Sequence, residues 1–230
     1  MIRERIEIGG IPAIVWGKES DRVWLCVHGK MSSKEAFEEL AGIAESRGCQ
    51  TLSFDLPQHG ERINGAERCD IWNGKRELEA VGEYVFGHWT EASLYACSLG
   101  AFFSLHAYKD YGFRKCLFQS PIVDMEYLIR QMMIWFGITE ERLEREREIG
   151  TPIDLMTWDY FRYVIENPIE KWNIPTNILF GGRDNLQTRA CISGFAERFG
   201  CGVTVSEDSE HPFMGENDPG IVRRWLMENM

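Results

Sequence analysis

The chain has no long hydrophobic run. Hydrophobic residues make up 44% of its 230 positions, yet no stretch approaches the ~18 consecutive apolar residues that a membrane-spanning helix requires. No membrane partner is expected. The N-terminal "MIRERIEIGG" is charged from its third residue and lacks the apolar segment of a secretory signal, so the expected location is cytoplasmic. Positive charge is also scarce. Lys and Arg number 25 against 36 Asp and Glu, for a formal net charge of −11, and binding a polyanion needs clustered cations that this chain does not supply. Nucleic acid is excluded as a partner.

Cysteine is present seven times but never as a C-x-x-C pair. An odd count, with Cys26, Cys97 and Cys116 inside apolar runs, describes small buried hydrophobes rather than a disulfide framework or a zinc site. No metal or organic cofactor is expected. Internal repeats, low-complexity tracts and coiled-coil heptads are missing too, which leaves the oligomeric state open.

What is present is an alternation of short apolar runs with amphipathic segments. "RVWLCVHG" precedes a helix over about 33–47, and "TLSFDLP" precedes one over about 74–89. "SLYAC", "KCLFQS", "NILFGG" and "VTVSED" continue the series, with helix-like segments after Ser98, Gln187 and Pro219. Strands that alternate with helices in this way form βαβ units and a mostly parallel, doubly wound sheet. "RIEIGG" and "IPAIVWG" meet at Gly9-Gly10, a dipeptide suited to a tight hairpin, so the sheet should begin with an antiparallel edge. Ser32 and Glu35 have capping-box spacing at the start of the first helix, and Gly48 can close its end. One domain spanning 1–230 is expected, interrupted at about 122–172 by a helical cap in which no buried strand is evident.

The stretch "LYACSLGAFF" places Ser98 between an apolar strand and a helix, with Ala96 and Gly100 two residues to either side. A sharp strand-to-helix turn that exposes a nucleophile needs small residues at those two positions. A serine there can equally serve as a helix N-cap. A nucleophilic serine also needs a base and an acid to orient it. His211 in "SEDSEHPF" is the one histidine after Ser98 that lies in a polar loop following the last strand, and Asp184 in "GGRD" ends a strand between the two. Asp124, at another strand end, is the rival acid.

With these residues in place the chain resembles the α/β-hydrolase superfamily. The resemblance rests on His28-Gly29 after a buried strand, the D-x-x-x-H-G turn from Asp55 to Gly60, the A-x-S-x-G elbow, the G-x-x-D turn and the late His-Pro. It departs from the commoner pattern at Ala96 and at Gln58, where glycine is usual. It implies an oxyanion hole made by the backbone amides of Lys30 and Leu99, with His28 and His59 in structural roles. The implied activity is a serine hydrolase cleaving a small carboxylic ester through an acyl-enzyme. Thioester or amide hydrolysis, and a non-catalytic ligand-binding protein on the same scaffold, remain alternatives. Cap residues Met132, Met133, Trp135, Phe136 and Trp158 are the candidates for the substrate pocket, since they crowd more apolar surface into a few helical turns than one solvated helix face carries.

Overall fold

The computed structural model describes residues 1–230. Strands β1 (Arg3–Ile8) and β2 (Ile11–Trp16) form the expected antiparallel hairpin, with Gly9 and Gly10 both at positive φ (60° and 86°). Two such residues in succession give the turn whose twist matches a hairpin. Strand β3 (Arg22–Val27), helix α1 (Glu38–Ser46), strand β4 (Gln50–Phe54), helix α2 (Ile71–His88), strand β5 (Glu91–Cys97), helix α3 (Leu99–Ala107) and strand β6 (Cys116–Gln119) follow.

After β6 the chain leaves the sheet for helix α4 (Met125–Trp135), helix α5 (Glu140–Glu146), strands β7 (Glu148–Gly150) and β8 (Leu155–Thr157), and helix α6 (Trp158–Glu166). It returns through strand β9 (Thr176–Gly181), helix α7 (Arg189–Phe199), strand β10 (Gly202–Ser206) and helix α8 (Asp218–Asn229). The eight-stranded sheet runs β1-β2-β4-β3-β5-β6-β9-β10, antiparallel at β1-β2 and β2-β4 and parallel elsewhere. Strand β5 lies near its middle, Ala96 registering with Val27 on one side and Phe118 on the other. Its buried neighbours are continuous apolar runs, as a sheet covered on both faces requires. No helix is long and apolar enough to cross a membrane.

Three local features differ from the sequence reading. The first helix begins with a 3-10 turn at Lys34–Phe37 and Ser33 at its N-cap, with no side-chain cap bond, so the Ser32–Glu35 box does not form. At its other end Gly48 has φ 72° and its amide donates to the Glu45 carbonyl, as in an αL closure. Helix α2 begins at Ile71 rather than Gly74, because Asp70 caps it by accepting from the Asn73 amide at 2.9 Å. The segment between β6 and β9 is not wholly helical, since β7 and β8 pair as an antiparallel hairpin.

Candidate active site

The turn after β5 is set by close packing against the end of β3. Ser98 has φ 51° and ψ −120°, a strained conformation for a residue with a Cβ. A Cβ at Gly100 would stand 2.4 Å from the His28 carbonyl oxygen, and one at Gly29 would stand 2.9 Å from Ser98 Cβ. Glycine is therefore demanded at both. Alanine is accommodated at Ala96, fully buried within the sheet. Although Ser98 occupies the N-cap position of α3, its side chain makes no cap bond.

Its hydroxyl turns instead to His211, with Oγ 2.7 Å from Nε2. The other ring nitrogen, Nδ1, is 2.8 Å from Asp184 Oδ2. The Asp184 side chain is fully buried and its second oxygen accepts from the Leu186 and Gln187 amides at 2.8 and 3.1 Å. Two amide donors fix that carboxylate's orientation and offset its desolvation. Asp124, the rival acid, caps α4 by accepting from the Tyr127 amide at 2.8 Å.

The loop carrying His211 is tied down twice. Gln119, at the end of β6, accepts from the Tyr95 hydroxyl at 2.5 Å and donates to the Pro212 carbonyl at 2.8 Å. Asp218, buried at the start of α8, accepts from Ser209 Oγ at 2.5 Å and from the Gly215 amide at 2.7 Å.

Lys30 and Leu99 flank Ser98 in one cavity. The Leu99 amide, first in α3, has no intrahelical acceptor, and the Lys30 amide lies in the turn after β3 and donates to no backbone carbonyl. His28 bridges this turn to the next, its Nδ1–H donating to the Gly29 carbonyl at 2.7 Å and its Nε2 accepting from the Leu56 amide at 3.1 Å. Burial lowers its pKa to about 4, so it stays neutral and spends both nitrogens on the backbone. His59 bonds the Pro57 carbonyl at 2.8 Å. Gln58 adopts the positive φ (59°) that glycine supplies more easily, and its Oε1 accepts from the Cys69 amide at 3.1 Å.

Beside this turn the Asp55 carboxylate bonds the buried Lys34 ammonium at 2.5 Å and the Lys34 and Glu61 amides at 2.9 and 3.0 Å. Gly60 passes so close that a Cβ would fall 2.1 Å from Asp55 Oδ1. Burial acts to raise the Asp55 pKa, but the bonds to Lys34 outweigh it and hold the group below its ordinary value. The Cys97 thiol is pushed up to about 12 by burial and then by the Asp184 charge, which leaves it protonated and a poor nucleophile.

The cavity over Ser98 measures about 140 Å³. Met132 and Trp135 line it, together with Met125, Leu128 and Ile129 from the same helix. Met133, Phe136 and Trp158 do not: Met133 and Trp158 are buried in the main core, and Phe136 packs at its edge. Helix α4 is apolar on several sides, and the structure turns 125, 128, 129 and 132 toward Ser98 but 133 toward the core. The opposite wall comes from Ile153, Leu155, Met156 and Tyr160 in the hairpin and α6.

Neither a protein-family model nor a curated protein sequence matches the chain. Solved structures do. Est1E from Butyrivibrio proteoclasticus with ferulic acid bound superimposes with a TM-score of 0.78 at 16% identity, covering 98% of this chain and 96% of that one. Alpha/beta hydrolase domain-containing protein 10 from mouse gives 0.76 at 14% identity over 99% and 98%. A monoacylglycerol lipase from Paleococcus ferrophilus gives 0.69 at 14% over 96% and 99%. The chain has the α/β-hydrolase fold. In that fold the Ser98 elbow, the Asp184 turn and the His211 loop all sit at the carboxyl ends of parallel strands, where open sheets of this kind collect their functional residues.

Sequence reasoning missed Gln187. Its side chain is buried and makes four hydrogen bonds, three of which join the Asp184 turn to the entry of α4 and one of which goes to the Leu186 carbonyl. A lone glutamine between two polar loops carries no pattern that would single it out.

Proposed function

We propose that the protein is a serine hydrolase that cleaves a small carboxylic ester. The observation that carries this reading is the chain of contacts from Ser98 Oγ through His211 to the buried Asp184 carboxylate, at 2.7 and 2.8 Å. In the reaction His211 Nε2 takes the Ser98 proton as Oγ attacks the ester carbonyl, and Asp184 holds Nδ1–H and stabilises the imidazolium. The Lys30 and Leu99 amides receive the oxyanion, His211 returns the proton to the departing alcohol, and water then releases the acid from Ser98 by the same steps. The cavity, small beside the ~300–1,000 Å³ of sites for drug-sized ligands, favours a short acyl group. The esterases and the lipase among the structural neighbours are consistent with ester chemistry.

The test is stoichiometric labelling by a fluorophosphonate, together with turnover of matched oxygen-ester, thioester and amide substrates. Labelling that disappears in Ser98→Ala, with the oxygen ester turned over fastest, is the expected result. A protein that neither labels nor hydrolyses any of the three is a binder, and the reading falls.

A further inference from the structure

The cavity beside Ser98 is not uniformly apolar. Facing the Met and Leu side chains of α4 stand Lys30, Cys69, Asp154 and Tyr160. The Lys30 ammonium is engaged, donating to the Asp154 carboxylate and to the Ile153 carbonyl at 3.1 Å. The Cys69 thiol is kept protonated, pushed up to about 12 by burial and then by Asp154.

Tyr160 is different. Its amide donates to Thr157 Oγ1 at 3.2 Å in the cap of α6, and its ring lies against Trp72 with centroids 6.0 Å apart. Its phenolic oxygen is buried and has no hydrogen-bond partner. A buried hydroxyl without a partner is destabilising, and phenylalanine would offer the same ring to Trp72 without that penalty. Burial, followed by the charges of Cys69 and Asp154, keeps the phenol protonated at any working pH, so the group is a standing donor. It stands on α6 and Ser98 at the turn after β5, and both residues line the cavity.

We infer that Tyr160 is a specificity-determining residue whose hydroxyl donates to an oxygen on the otherwise apolar group occupying this cavity, making the preferred substrates esters of short acyl groups that bear a hydroxyl or carbonyl oxygen. The inference rests on the ester-hydrolase reading and names the substrate class for it. A site built around a buried donor discriminates strongly against a ligand that cannot use it, because the donor is then left unpaired.

The experiment compares nitrophenyl esters of a short straight-chain acid with the same esters carrying a hydroxyl or keto oxygen at successive positions. A second set places the hydroxyl on an aryl ring, which separates aliphatic from aromatic acyl groups. At one position the oxygen is expected to raise kcat/KM by about ten- to hundredfold over the plain ester, the scale of one buried hydrogen bond. In Tyr160→Phe that ratio is expected to collapse toward one. An equal ratio in both proteins, or no preferred oxygen position, overturns the inference.

A binding arm separates this failure from failure of the hydrolase reading. In Ser98→Ala, calorimetry with the free oxygenated and plain acids should show the same preference, and Ser98→Ala/Tyr160→Phe should lose it. If every ester is inert but the binding preference stands, only the hydrolase reading falls. If binding is indifferent to the oxygen, Tyr160 has no such role.

Discussion

Gln187 holds Asp124 by both of its backbone groups, its Oε1 accepting from the Asp124 amide and its Nε2 donating to the Asp124 carbonyl, each at 2.9 Å. The same oxygen accepts from the Val123 amide at 3.1 Å. The turn that presents Asp184 to His211 is thereby fastened to the segment that enters the cap. Replacing Gln187 with the apolar, similarly sized Leu leaves these backbone groups buried and unpaired, at about 1–3 kcal/mol for each that finds no water. The urea midpoint of Gln187→Leu should fall well below that of the wild type, and an unchanged midpoint would show that the tie is dispensable.

The two aspartates should separate cleanly in kinetics. Asp184→Asn is expected to lower kcat by about 10⁴, the scale for losing control of the imidazole tautomer. Asp124→Ala should remove a helix cap, costing about 1 kcal/mol of stability, with little change in turnover of a short ester. Stopped-flow rates and denaturation curves for both variants decide it, and a reversed pattern would reassign the acid.

At the elbow, Gly100→Ala drives a Cβ to 2.4 Å from one backbone carbonyl and 2.8 Å from another. Backbone cannot swing aside as a side-chain tip can, so this variant should be recovered poorly folded or lose its circular-dichroism melt. Ala96→Gly, which restores the commoner motif, should fold and remain active, at about 0.5–1 kcal/mol lower stability from backbone entropy.

Acid should unfold the protein through its buried histidines. Burial lowers the pKa of His28 and of His106 from 6.5 to about 4, with the Lys75 and Lys109 charges adding to the effect at His106. Between those values the unfolded chain binds protons that the folded one refuses, so stability rises with pH across the window and is lost as pH falls from about 6.5 toward 4. Asp55, held low by Lys34, acts in the same direction further into acid. The His106 Nε2 is buried without a partner, and the ring packs on Phe102. His106→Phe should therefore make the stability–pH curve shallower across this window. An identical slope in urea titrations at pH 4.5 and 6.5 would contradict the assignment.

The order of strands and helices was legible because burial on both sheet faces writes itself as short apolar runs. The elbow restricts its neighbours to small residues and a polar loop after the last strand holds His211, which is why sequence singles out these two residues, and the structure brings them within 2.7 Å of each other. The β7–β8 hairpin was not, since three-residue strands are too short to display an alternation. Nor was the cavity-facing side of α4. Met132 and Met133 are adjacent and chemically identical, and only the packing of the helix decides that one meets the cavity and the other the core. Lys34 illustrates a further gap: lysine is a residue type mostly left in solvent, and nothing in the sequence marks this one, which the structure buries at 1% exposure against Asp55.

The chain leaves the sheet at Gln119 and re-enters it at Thr176, on strands that are hydrogen-bonded neighbours with Cys116 opposite Thr176. Departure and return thus occur at one doorway, and whatever lies between can lengthen, shorten or be exchanged without rerouting a single crossover of the sheet. The stretch from 122 to 172 can therefore be rewritten while Ser98, Asp184 and His211 keep their places in the sheet. The Gln187–Asp124 clasp, with the Lys30–Asp154 and Arg68–Glu148 pairs, is among the fittings that each new version must match.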